Sequence, residues 1–218
     1  MYLALKHETT RMLTFKRAWA LQNKTKEFDF SFSARLRESI HVSGSRGIRI
    51  HYTLEDFDSE NLTLPERETG LNKFEFVLTE AGAVSSDGPH KGHLADIAED
   101  LRCAWLTPEI GISGLCWKTQ PTIHSKLSHP LRTFHGVAEH RITKVLEQSI
   151  TIESLADVSI KLAANVRMGP LHGSSKQTTV LHKTTGPQAM NREVKVILHD
   201  PDQSELFPAQ VQSTLSMQ

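Results

Sequence analysis

Histidine is the reagent this chain holds in surplus, at 12 of 218 residues. His90 and His93 form an H-x-x-H on a glycine-containing stretch, and Asp96, Glu99 and Asp100 follow within two helical turns. Two imidazoles and a nearby carboxylate make a ligand set for zinc or manganese, so His90, His93 and Asp96 are the candidate metal ligands of a metal-dependent hydrolase. The plainer reading is a pair of locally hydrogen-bonded histidines, and the pattern assigns no cofactor. A second group, His124, His129, His135 and His140, is spaced by five, six and five residues and fits no metal template.

Covalent chemistry has less to draw on. Cys103 and Cys116 stand 13 apart with no C-x-x-C pair. Cys116 sits between Leu115 and Trp117, a setting that predicts a buried, inert thiol rather than a nucleophile served by His124 or His135. The chain contains no phosphate-binding glycine loop and no G-x-S-x-G elbow; Gly111-Ile112-Ser113-Gly114 only echoes one. Its acidic residues stand in no apolar setting that would raise a carboxylate pKa. No catalytic residue is assigned, and no small-molecule substrate is inferred.

Binding chemistry is better represented. Arg35, Arg37, Arg46 and Arg49, with His51 and Tyr52 beside them, would suit the phosphates and bases of a single-stranded nucleic acid. Asp29, Glu38, Glu55, Asp56 and Asp58 dilute that patch. The charges are also segregated along the chain, although the totals are 25 basic and 25 acidic residues. Residues 1–26 hold 6 basic and 1 acidic side chain, 27–110 hold 8 and 16, and 111–218 hold 11 and 8. Such regions attract one another within a monomer or between copies, with a salt-sensitive association rate.

The elements that must position these groups follow from periodicity. Met12, Phe15 and Trp19 recur at steps of three and four, with Lys16 and Arg17 off that side. This predicts a basic amphipathic helix or arm over residues 1–26, with Met12, Phe15, Lys16, Arg17 and Trp19 as a surface for a membrane or protein partner. Lys16 and Arg17 interrupt the apolar run, so it does not read as a secretory signal. Phe28 to Leu36 alternate with polar residues, two glycines follow at Gly44 and Gly47, and Ile48 to Leu54 alternate again, which predicts a β-hairpin. Lys73–Glu80 predicts another strand, and Leu94, Ile97, Ala98, Leu101 and Trp105 predict an amphipathic helix over 93–106. Residues 146–152 and 158–166 predict strands with a turn near 153–157, 173–186 a polar connection, and 193–199 a last strand.

The fold class expected is α+β or mainly β: an antiparallel sheet, sandwich or half-barrel, of six or more strands with one internal amphipathic helix. The expected organisation is a basic arm (1–26), a single β-rich domain (27–199) and a loose tail (200–218). Two cysteines cannot build a disulfide framework, and no apolar stretch is long enough to span a bilayer, so an intracellular, cytoplasmic place is expected. The leading functional expectation is a non-enzymatic binding or assembly protein that self-associates or bridges partners through charge-segregated surfaces. Small viral structural proteins of matrix type share this general format, an analogy of size and composition alone.

Overall fold

A computed structural model describes residues 1–6, 8–23, 26–43, 47–59, 73–79, 82–85, 92–119, 131–162, 171–200 and 205–217. Its strands are β1 (Thr9–Asn23), β2 (Lys26–Ser43), β3 (Gly47–Ser59), β4 (Lys73–Thr79), β5 (Gly82–Ser85), β6 (Cys116–Thr119), β7 (Leu131–Val145), β8 (Ser149–Leu162), β9 (Leu171–His182), β10 (Gly186–Asp200) and β11 (Glu205–Met217). One helix, α1 (Gly92–Ala104), lies between β5 and β6.

All eleven strands join a single antiparallel sheet in the order β5-β4-β3-β2-β1-β11-β10-β9-β8-β7-β6. Among the described residues the fold is thus mainly β with one helix, and it is one sheet rather than a sandwich of two. The chain starts at the centre, meanders to one edge, crosses by α1 to the other edge, and meanders back. Each strand buries one side by the period-two rule: Leu13 and Phe15 on β1, Phe32, Ala34, Leu36 and Ile40 on β2, Ile50 and Tyr52 on β3, Phe74 and Phe76 on β4. From α1 come Ile97, Leu101 and Ala104, and Trp105 follows directly, all essentially without exposed surface.

A flat sheet could not wrap α1 in this way. Trp105 donates from its indole Nε1 to the Tyr52 hydroxyl on β3 at 2.7 Å. The same indole occupies the space where a Cβ on Gly186, the first residue of β10, would sit. β3 and β10 are four strand spacings apart in the sheet order, about 19 Å if flat. One side chain reaches both only because the sheet is curled, with α1 inside the curl. Residues 1–6 close the end where the helix finishes: the Tyr2 amide donates to the Pro108 carbonyl at 2.7 Å and the Ala4 amide to the Lys183 carbonyl at 2.7 Å.

Several expectations require correction. Residues 9–23 are a central strand, not an amphipathic arm, with β2 on one side and β11 on the other. Met12 and Phe15 therefore lie on opposite faces; the three- and four-residue steps were shared with a period of two, and pairing on both sides decided between them. The expected loose tail is β11, inserted between β1 and β10. The expected polar connection over 173–186 is largely β9, whose Ser175, Gln177 and Thr179 face inward and are buried. The turn placed at 153–157 is absent from β8, which is continuous over Ser149–Leu162, and the reversal falls at 146–148 instead. The hairpin of β2 and β3 and the helix are found where periodicity put them.

Candidate functional site

Charged residues at apolar positions of the strand pattern mark the interior sites. Arg17 follows Phe15 in the inward phase of β1, and Arg192 lies between the inward Met190 and Val194 of β10. Both reach Asp100 of α1. Arg17 Nη1 donates to Asp100 Oδ2 at 2.6 Å, and Arg192 Nη1 donates to Asp100 Oδ1. Arg17 also pairs with Asp96, Nη2 to Oδ1 at 3.4 Å. On β9, Ser175 Oγ accepts from Arg192 Nε at 3.3 Å, and Gln177 donates to the Cys103 carbonyl at 2.8 Å. By register, Ser213 of β11 stands directly between Arg17 and Arg192, so a small residue type separates the two arginines. This latch fixes the middle of α1 to three strands. Asp100 and Arg192 are almost fully buried, so removal of one partner would strand a charge in a low-dielectric setting.

A second network lies nearer the end of the helix. Tyr52, which accepts from Trp105, donates to Glu38 Oε2 at 2.5 Å, and Glu38 Oε1 accepts from Arg11 Nε at 2.5 Å. Burial pushes the Glu38 carboxyl up, and the Arg11 guanidinium pulls against that rise. The Tyr52 phenol is raised by burial and then by the neighbouring Glu38 charge. This network stitches β1, β2 and β3 to the residue that ends the helical segment.

The third group joins β6, β7 and β8. His140 Nδ1 lies 2.7 Å from Ser154 Oγ and Nε2 lies 2.8 Å from Thr119 Oγ1, while Trp117 packs on the ring at a centroid distance of 5.0 Å. Loss of solvent drives the His140 pKa down to about 4. Histidine beside serine is the skeleton of a nucleophile–base pair. Here both ring nitrogens meet hydroxyls, and both His140 and Ser154 are buried. A neutral imidazole with one donor and one acceptor satisfies that arrangement, which is structural chemistry.

The residues singled out from sequence distribute as follows. Phe15 is buried in the core and Arg17 is in the latch, so neither belongs to an outward surface of the expected kind; Lys16 is exposed and Met12 is half-buried on the opposite side of β1. Trp19 takes an inward register position opposite Phe30 and Val211. Arg35, Arg37 and Arg49 do share the outer face of β2 and β3, but Arg37 pairs with Glu55 and Arg49 with Glu75 at 2.7 Å. Arg46 lies outside the described residues, as do His90 and the side chain of His93. Asp96, the third metal candidate, is engaged by Arg17. Among the described residues no three His, Cys, Asp or Glu side chains gather around a metal-sized site. Cys116 is exposed rather than buried, because β6 is a sheet edge and residue 116 takes its outward phase; Cys103 is the more enclosed thiol, raised by burial.

Sequence reasoning passed over Arg192 and Gln177 and counted Glu38 among the acids beside the outer arginines, whereas it is buried with Arg11 and Tyr52. Their signal was present as a polar residue in phase with apolar neighbours, as at Leu36-x-Glu38-x-Ile40. No helix among the described residues is long and apolar enough to cross a membrane. No protein-family model matches the chain, and no curated protein matches it.

Proposed function

We propose that this chain is a non-enzymatic binding protein that receives the hydrocarbon chain of an amphiphile on the inner face of its curled sheet. The supporting observation is a change in what the inner positions meet on either side of the latch. Toward the Gly186 end they face α1 and Trp105. Toward the opposite end, the strands continue past Arg17 for six more residues of β1, about 20 Å. Gly92 begins α1 only four residues before Asp96, so the helix extends at most about 6 Å beyond that contact.

By register, the inward phase of that further stretch falls on apolar residue types on four adjacent strands. Trp19 pairs with Phe30 and Val211, Leu21 with Phe28 and Ala209, and Leu198 with Phe207. The outward positions alternate with them and include Gln22, Asp29, Lys195 and Gln210. At the ends of these strands the inward phase reaches Asn23, Lys26, Asp200 and Glu205. A run of apolar residue types in the inward strand phase that ends in polar types suits a molecule with an apolar tail and a polar head.

Titration of the full chain with a dansyl-labelled fatty acid, read by energy transfer from tryptophan, tests this. Saturable one-to-one binding is expected, displaced by unlabelled oleate and weakened in Phe30→Asp. Circular dichroism of that variant shows whether the fold has survived. A folded chain that gives only linear, non-saturable signal would overturn the reading.

A further inference from the structure

The outer face carries a concavity of its own, away from the inward strand positions. It is a groove of about 450 Å³ across β11, β1, β2 and β3, and its outward lining includes Lys16, Ser31, Ser33, Asp58, Gln212 and Thr214. Register explains its form. Thr214 is opposite Lys16, Lys16 opposite Ser33, and Ser33 opposite Asp58, so these four residues make one row across four strands. Gln212, Ala18 and Ser31 make the next row on the same face. Serine and alanine at the centre leave a depression between longer side chains.

Asp58 belongs to this row because of a β-bulge. β2 pairs Leu36 with Leu54 but Arg35 with Asp56, so Glu55 is an extra residue on β3. Without it the inward phase set by Ile50, Tyr52 and Leu54 would turn Asp58 toward the core. With it, Phe57 turns inward to stack on Phe32 at a centroid distance of 5.0 Å, and Asp58 turns outward beside Ser33. Bulges re-aim side chains in this way beside binding sites.

Lys16 and Asp58 stand two strand spacings apart, about 10 Å between Cα atoms, on either side of Ser33. Both are exposed, and among the described residues neither makes an ion pair, with the other or with any third group. Opposite charges that flank a groove without closing on each other suit a ligand that carries both signs. A phosphate or nucleic acid would meet Asp58 as a like charge, and an apolar ligand would find hydroxyl and amide groups.

We infer that this groove binds a small zwitterion, an amino acid or short peptide, with its carboxylate toward Lys16 and its ammonium toward Asp58. Ser31, Ser33, Gln212 and Thr214 supply hydrogen bonds along its length. Exposed ion pairs contribute little individually, so each charge is expected to change affinity by about two- to five-fold.

The test is an NMR titration of the isotope-labelled full chain with glycylglycine, its N-acetyl derivative and its C-terminal amide. Saturable shifts confined to the amides around Lys16, Ser33 and Asp58 are expected, with each blocked analogue weaker by about two- to five-fold. Lys16→Gln should weaken glycylglycine yet leave the C-terminal amide unchanged, and Asp58→Asn should do so for the ammonium side, leaving the N-acetyl derivative unchanged. Both substitutions are at exposed positions, so the fold is expected to persist. No saturable shifts, shifts elsewhere, or equal binding of all three probes would overturn the inference.

Discussion

Protonation of His140 should weaken the fold, and the size of the effect follows from its surroundings. The imidazole is buried among Trp117, Thr119, Ser154 and the adjacent strands, with a pKa near 4 instead of the ordinary 6.5. Glu139 and Arg141 flank it on β7 but occupy the outward phase, where they are exposed. Between these two pKa values the unfolded chain binds a proton that the folded chain refuses. Stability is therefore complete above about pH 6.5, falls as the pH drops, and stops falling for this reason below about pH 4. A shift of that size corresponds to about 3 kcal/mol, an upper figure because a buried site relaxes. Glu38, whose carboxyl is raised by burial, acts in the opposite sense, since its stabilising contribution is greatest when protonated. Comparison with a variant removes that shared background. Urea unfolding of the parent and His140→Gln from pH 7 to pH 4 should give a difference in slope that accumulates to a few kcal/mol. Parallel stability profiles across that window would show that His140 titrates normally, and the argument from its burial would fail.

Three other outcomes are expected. Asp100→Asn should lower stability by about 3–5 kcal/mol, because Arg17 and Arg192 would lose their shared anion in the interior; an unchanged melting temperature would dissolve the latch. Gly186→Ala should cost at least about 1–3 kcal/mol and shift tryptophan emission, since the position has φ of 77° and its Cβ would enter the Trp105 ring. Single-stranded oligonucleotide is expected to give no saturable binding that depends on Arg35, Arg37 and Arg49, because Arg37 and Arg49 already face Glu55 and Glu75; binding that is lost, with a reduced salt slope, when the three are neutralised would restore the nucleic-acid reading.

What could be read from the residues was whatever alternated cleanly. Phe28 to Leu54 announced two strands, and Leu94 to Trp105 announced a helix, because apolar and polar residues there follow a single period. The strands that escaped are those whose inward positions are polar. Ser175, Gln177 and Thr179 of β9 look like a solvated connection until Arg192 and the Cys103 carbonyl are placed beside them. β1 misled for a related reason: Arg11 and Arg17 occupy its inward phase, which hid the alternation and left a helical spacing of Met12, Phe15 and Trp19 in view. Their partners, Glu38 and Asp100, lie 27 and 83 residues away, and no local pattern connects them. The outer groove was equally hidden, because it depends on a single extra residue at Glu55.

The buried latch also bears on where α1 sits along the inner face of the sheet. A buried ion triad is seldom more stabilising than apolar residues of similar volume, so stability alone gives little reason for Arg17, Asp100 and Arg192. Their geometry supplies a different one. An amphipathic helix held to a sheet by apolar contacts alone has several axial positions of similar energy. One carboxylate held between guanidinium groups from β1 and β10 has a single satisfactory position. Trp105 against Gly186 fixes the other end. Together they fix α1 at two points along its length. On the proposed function this makes the latch a device that positions α1 along the inner face, so Asp100→Asn should change fatty-acid affinity even at temperatures where the variant remains folded. Unchanged affinity in a folded variant would separate the latch from the binding function.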